Sequence, residues 1–217
     1  IDQGEAAVTI RTDKNGLAKS AADALPYGDY LVKETKAPAG YLLNEKWSRA
    51  ISIRKDGEII DITSDPVKEE IQRGGVQIVK RDKELKKSEA LGGADLNGIE
   101  MTIKNVSGHD VLVRSDIGSP ENKVDWKAIS SKKDLIDSGK VKRVKPGEDM
   151  GKITVHWNEA KKAYTAETLP DDLPYGTYTI RETKTNKNYQ RTDKSEHLFK
   201  IREDGKTVSY DDGQNEM

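Results

Sequence analysis

The sequence predicts an all-β protein made of two tandem sandwiches of short antiparallel strands. Three observations carry this expectation. The phrase LPYGDYLVKETK at 25–36 returns as LPYGTYTIRETK at 173–184. In both copies apolar and polar residues alternate with a period of two, the pattern of a strand with one face on a core. Turn chemistry recurs at short intervals, with Pro-Tyr-Gly inside each phrase and Asp-Gly at 56–57 and 204–205. In such turns proline fixes φ and glycine permits positive φ.

The repeat is longer than the phrase. An offset of 148 (173 − 25) carries Leu25 onto Leu173 and still holds at Gly57 and Gly205, with no gap between. Pro26, Tyr27, Gly28, Tyr30, Glu34, Thr35, Lys36 and Tyr41 have identical partners, and IRKDG at 53–57 matches IREDG at 201–205. A gapless internal repeat of this length predicts two domains of one fold, residues 1–73 and 74–217.

Taken in order, residues 1–12 align best with the stretch at 149–157. The phrase at 25–36 is a turn feeding a strand. RAISIRKDGEIIDI at 49–62 reads as a hairpin closed by Asp-Gly, and DPVKEEIQR at 65–73 as the last strand of the first domain. GGVQIVKRD at 74–82 is a strand after a Gly-Gly hinge, and GIEMTIKNV at 98–106 is another. Residues 119–151 read as an insertion on one edge of the second sandwich, with a short helix from Trp126 to Leu135. The phrase then returns, and HLFKIREDGKTVSY at 197–210 reads as a second hairpin. Only Arg-Gly-Gly separates the two domains, which predicts beads in line with little relative motion.

Composition narrows the function classes. Only 34% of the 217 residues are hydrophobic and 35% are charged, yet the net charge is −1. With a mean hydropathy of −0.82, this combination describes thin cores under large solvated surfaces rather than disorder. Near-balanced charge argues against nucleic acid as a partner, because no face carries the positive excess that counterion release needs. The basic spots at Lys132-Lys133 and Lys140 to Lys145 read as solvated surface. Cysteine is absent, which removes disulfides and thiolate metal sites. His109, His156 and His197 are too scattered for a metal motif, and no cofactor is expected. No apolar run reaches membrane-spanning length. The sequence opens on Ile1 without a methionine or signal peptide and is read as a piece of a longer chain.

With these residues in view, the chain resembles the Cna B-type domain, also called SpaA-like or prealbumin-like. The resemblance rests on VQIVKRD followed by LPYGTYTIRETK, and on LPYGDYLVKETKAPAGY, whose ETKAP-x-GY ending is the most distinctive part. It covers nearly the whole chain apart from 119–151. It implies two prealbumin-like, Ig-like β-sandwiches from the stalk of a Gram-positive surface adhesin or pilin, outside the cell and anchored to the wall through other parts of the parent protein. It also implies an intramolecular isopeptide bond, in which a first-strand lysine attacks the side-chain carbonyl of an Asn or Asp on the last strand while a glutamate assists. By motif position Lys80 is the nucleophile and Glu182 the proton shuttle, with Glu34 the equivalent glutamate of the first domain.

The chemistry is sound in general terms. An amine attacks only when neutral, and burial favours the neutral forms of both an amine and a carboxylic acid. A neutral glutamic acid can polarise an amide carbonyl and pass a proton to the leaving group, and held partners react at an effective molarity of roughly 10⁵ M or more. Alternation places Val76, Ile78 and Lys80 on one face, and Tyr178, Ile180 and Glu182 on another. If the apolar members face the core, so do Lys80 and Glu182. The competing reading for each is a strand-end side chain that reaches solvent.

The two copies also depart from the pattern. The first begins after its expected lysine strand, so its donor lysine is absent, and Asp65 is its candidate acceptor. The second is expected to run out before its last strand, just past Met217, which leaves Asn215 as its candidate acceptor. Unpaired strand edges follow, open to completion by a neighbouring molecule. The expected partners are neighbouring repeats of the same chain. A binding module that recognises a host matrix protein or glycan through 119–151 or exposed tyrosines is the alternative. An enzyme is not expected: neither paired carboxylates in a cleft nor a Ser-His-Asp set is evident, and Asp171 and Asp172 sit in a turn where Asp is at home.

Overall fold

The computed structural model describes residues 6–127, 132–191 and 194–211. The described residues are all-β apart from one short helix and a 3₁₀ turn, and the chain divides into two compact units, Ile1–Glu70 and Ile71–Met217.

The first unit holds β1 (Gly28–Lys33), β2 (Tyr41–Leu42) and β3 (Ser48–Ile53). β1 and β3 form an antiparallel pair, with Tyr30 opposite Ile51 and Val32 opposite Arg49. β2 pairs with the two-residue β4 (Glu70–Ile71), on which the unit ends. Residues 6–12 form no strand, whereas their expected counterparts at 149–157 do. The hairpin expected over 49–62 is half realised: β3 forms, and the segment after Gly57 does not pair with it. Gly57 takes φ 66° and Glu58 N–H donates to the Lys55 carbonyl, so the turn closes locally.

The second unit is a two-sheet sandwich. Its strands in order are β5 (Arg73–Lys80), β6 (Glu100–Asn105), β7 (Val111–Arg114), then helix α1 (Lys132–Asp137), β8 (Val141–Val144), β9 (Asp149–Thr154), β10 (His156–Asn158), β11 (Ala163–Glu167), β12 (Leu173–Pro174), β13 (Gly176–Lys184), β14 (His197–Ile201) and β15 (Thr207–Asp211). One sheet runs β10-β11-β5-β12, with β15 on the other side of β5; the second runs β14-β13-β6-β9. Between them lie Val76, Ile78, Met101, Ile103, Tyr178, Ile180, Phe199 and Ile201, each at most 5% exposed. The outer face of the second sheet carries a ladder of paired charges, Lys104–Glu196, Arg181–Asp149 and Lys152–Glu100, which accounts for much of the charge in so thin a fold.

The second expected hairpin is also corrected. β14 pairs with β13, while β15 pairs in parallel with β5, so the Asp204-Gly205 turn crosses between sheets. The reason lies in its hydrogen bonds: Gly205 N–H donates to the Arg73 carbonyl at 2.7 Å, and Asp204 Oδ1 accepts from Arg73 N–H at 2.9 Å. The turn is tied to the start of β5 instead of closing on itself. A strand flanking β5 is therefore present before Asp211. The stretch at 119–151 is more ordered than a decorated loop, since β8 pairs with β7 and β9 joins the second sheet. Its helix begins at Lys132, and Trp126 lies outside it.

Candidate functional site

The repeated phrase builds the same corner twice. Tyr178 donates its hydroxyl to the Pro174 carbonyl at 2.6 Å, and Tyr30 donates to Pro26 at 2.8 Å. Arg202 Nη1 donates to the Gly176 carbonyl at 2.6 Å, and Arg54 Nη1 donates to Gly28 at 3.2 Å. Each arginine also lies over the ring of the phrase's first tyrosine, Tyr175 or Tyr27. Pro-Tyr-Gly-x-Tyr is thus a self-bonded corner that launches a strand, and the arginine of IRKDG or IREDG locks it from the next strand.

In the second unit that strand, β13, carries Glu182 inward at its far end. Tyr178 and Ile180 precede it on the same face, 0% and 1% exposed. On the opposite sheet β5 places Val76 and Ile78, both 0% exposed, ahead of Lys80. Lys80 Nζ lies 3.0 Å from Glu182 Oε2, with side chains 18% and 10% exposed. The pair therefore bridges the two sheets at one end of the core and is mostly shielded from solvent.

Residues not singled out in the sequence frame Lys80. Ser88 Oγ donates to the Lys80 carbonyl and accepts from Tyr164 N–H, both at 2.7 Å. Tyr164 is the residue opposite Lys80 on β11, so this hydroxyl is inserted into the ladder where the lysine emerges. Two residues on, the buried Asp82 accepts the N–H groups of Glu84 and Leu85 and the Tyr189 hydroxyl. These bonds hold its carboxyl below the usual carboxylate range, the Leu85 N–H contributing most. Tyr189 follows β13, so Asp82 and Tyr189 link the segments that leave Lys80 and Glu182. Tyr189 is one of the repeated residues, which was the available signal; Ser88 has no counterpart in the first copy.

β15 runs parallel to β5 and reaches Asp211 opposite Val79, one position short of Lys80. Asn215 lies outside the described residues. In the first unit Glu34 Oε2 accepts Asn44 N–H at 2.7 Å, and burial, with Glu34 nearby, pushes the Glu69 acid up. Asp65 is instead ion-paired with Arg49 and 43% exposed. Asp171 and Asp172, read as turn residues, have a defined partner. Both bind Arg114, itself 3% exposed, and Asp172 also accepts N–H groups from Gly118 and Leu169. Trp126 covers this cluster, with the Arg73 guanidinium 3.4 Å above its ring. Among the described residues no group of three or more His, Cys, Asp or Glu is arranged to hold a metal ion, and no helix is long and apolar enough to cross a membrane.

Comparison with known proteins agrees with this architecture. No curated protein matches the sequence. The solved structure of the Bacillus anthracis TIE protein is similar, with a TM-score of 0.52 and 25% identity over 97% of this chain, which spans 28% of that one. The family described as SpaA, prealbumin-like fold domain, matches residues 2–67 and 81–215. Its domains are structural modules of Gram-positive surface proteins. The chain belongs to the SpaA family of prealbumin-like fold domains, once in each repeat.

Proposed function

We propose that this chain is a pair of stalk repeats from a bacterial cell-wall adhesin or pilin, and that the second repeat welds its first strand to its C-terminal end through an autocatalytic isopeptide bond. The observation that carries this reading is the Lys80–Glu182 contact of 3.0 Å at inward-facing positions between the sheets. An inward lysine against an inward glutamate is rare without a task. In the proposed reaction the ammonium proton first passes to the Glu182 carboxylate. The freed Nζ then attacks the side-chain carbonyl carbon of the acceptor, for which Asn215 is the candidate. Glu182, now an acid, donates to the carbonyl oxygen and passes its proton to the departing nitrogen. One C–N bond forms, one breaks, and ammonia leaves. The event occurs once per molecule, so it is maturation and not turnover.

The benefit is mechanical and thermodynamic. A Lys80–Asn215 link closes a loop of 135 residues (215 − 80), which on the loop-entropy argument contributes about 4–5 kcal/mol. The bond would also stop β5 from being pulled away along a stalk. Intact mass tests the reading: the wild-type chain is expected about 17 Da light, from the loss of one ammonia. Lys80→Ala and Glu182→Ala are expected at full sequence mass. A wild-type chain at full mass would refute the linkage.

One observation favours the alternative of direct adhesion to a host protein or glycan. Trp157 is 40% exposed and packs edge-on against Tyr164 at 5.1 Å, an aromatic pair at the β10 edge of the β5 sheet. A glycan array with wild-type and Trp157→Ala chains separates the two readings: binding lost in the variant supports adhesion.

A further inference from the structure

β5 ends at Lys80, and the chain doubles back at once. Asp82 N–H donates to the Lys87 carbonyl and Lys86 N–H to the Asp82 carbonyl, both at 2.9 Å, so residues 82–87 close into a tight loop. Lys86 turns its corner with φ 52°, a left-handed conformation unfavourable for a residue with a Cβ. Backbone held in such a region is a pointer to a task, because the surrounding structure has to enforce it. What the loop delivers is Ser88, half-buried and bonded to Lys80 eight residues behind it.

The Ser88 hydroxyl takes a place in the ladder. Lys80 and Tyr164 stand opposite each other where β5 pairs with β11. In a hydrogen-bonded antiparallel pair the N–H of one residue reaches the carbonyl of the other directly, at about 2.9 Å. Here Ser88 Oγ accepts the Tyr164 N–H and donates to the Lys80 carbonyl, each at 2.7 Å. The strands are joined through a side chain at the very residue that carries the amine. The bond to the Lys80 carbonyl fixes the peptide plane from which the lysine leaves β5. From there a flexible four-carbon stem has to bring Nζ to Glu182 Oε2, 3.0 Å away on the other sheet. Backbone direction therefore decides where the amine falls, and a misplacement of about 1 Å costs a reaction about a hundredfold.

We propose that Ser88 is the positioning residue for Lys80: its hydroxyl holds β11 off the Lys80 carbonyl and sets the backbone direction that brings Nζ to Glu182. Without the hydroxyl, Tyr164 N–H closes directly on the Lys80 carbonyl, which turns the Lys80 peptide and carries Nζ away from Glu182. The role is geometric, and no proton of the reaction passes through Ser88. The effect on bond formation rests on the isopeptide reading above, whereas the effect on the Lys80–Glu182 contact does not.

The test compares the full chain with its Ser88→Ala and Ser88→Thr variants. Intact mass is followed over time after cell-free synthesis, with rates corrected for the fraction folded by tryptophan fluorescence. Loss of ammonia is expected to be about tenfold to a hundredfold slower in Ser88→Ala and to recover in Ser88→Thr, which restores the hydroxyl. A purely structural role would lower stability without slowing the reaction of the folded chain. If the wild-type chain stays at full mass, the isopeptide reading fails, and the coupling between Lys80→Met and Glu182→Leu decides this one. A double-mutant cycle in urea reads that coupling with Ser88 intact and in the Ser88→Ala chain; it is expected to fall by about half or more in the latter and to recover in Ser88→Thr. Linkage at the wild-type rate in Ser88→Ala would overturn the proposal, as would full coupling in an unlinked Ser88→Ala chain. A loss that Ser88→Thr fails to recover would also overturn it, because the hydroxyl would then not be the group that matters.

Discussion

Lys80→Met and Glu182→Leu, separately and together, test whether the site is a desolvated ion pair. Either single change leaves one charge at the end of the core without its partner. For a fully buried pair this costs about 3–5 kcal/mol. Lys80 and Glu182 retain 18% and 10% exposure, so partial hydration reduces the cost to about 2–3 kcal/mol. The double variant removes both charges and adds two apolar side chains next to Val76, Ile78 and Ile180, so it should be more stable than either single variant by about the same amount. All three lack the groups needed for a covalent link, so the comparison is independent of isopeptide formation. With a urea slope of about 2 kcal/mol/M, midpoints should differ by about 1 M, read from Trp126 and Trp157 fluorescence in a Trp47→Phe background. A double variant no more stable than the worse single one would refute the reasoning, because it would mean that Lys80 and Glu182 act through packing alone.

Arg114→Met should destabilise the second unit by about 3–5 kcal/mol, because Asp172 is 0% exposed and would lose its cation. Arg114→Lys should recover only part of this in the same urea assay, since a single ammonium cannot fork to both Asp171 and Asp172. Asp82 titrates below its unfolded value, so its contribution is present above the unfolded pKa near 4 and is lost as pH falls through the folded value. Asp82→Asn should therefore flatten the acid limb of stability against pH, and an unchanged limb would remove Asp82 from it. Tyr178→Phe should cost about 1–3 kcal/mol by stranding the buried Pro174 carbonyl, whereas Tyr30→Phe at the half-exposed twin should cost about 0.5–1 kcal/mol because water can reach Pro26. Equal costs would show that burial is not what separates the two corners.

Much of this was legible in the sequence because it is local or periodic. The repeat, the alternation and the Pro-Tyr-Gly turns placed β1, β5, β6 and β13, and alternation alone put Lys80 with Val76 and Ile78 on one face and Glu182 with Tyr178 and Ile180 on another. What stayed hidden depends on partners far along the chain. Asp204-Gly205 has the letters of a hairpin turn, but its hydrogen bonds go to Arg73, 131 residues away. β8 reads as a basic spot, VKRV, and becomes a strand because β7 pairs with it. Ser88 and Arg114 belong to no motif, and only the fold brings Ser88 to Lys80 and Arg114 to Asp172. Trp126, read as the start of the helix, lies outside α1 with its ring against Arg73, a partner far along the chain.

The two repeats amount to an internal experiment on what each part of the sequence does. Both copies form the Tyr-to-Pro and Arg-to-Gly hydrogen bonds and pair the strand after the corner with the strand that leads into the arginine. These features need only residues within about 30 positions and form with or without a closed core. Burial of the inward face differs between the copies, and it follows β5. The glutamate's surroundings differ with it: Glu182 meets the Lys80 ammonium, while Glu34, on an equivalent strand after an equivalent corner, accepts the Asn44 N–H. The repeated phrase therefore encodes a scaffold that presents a glutamate, and the chemistry of that glutamate is decided by the strand laid against it. This is why the lysine strand, and not the more recognisable phrase, is the part on which function turns.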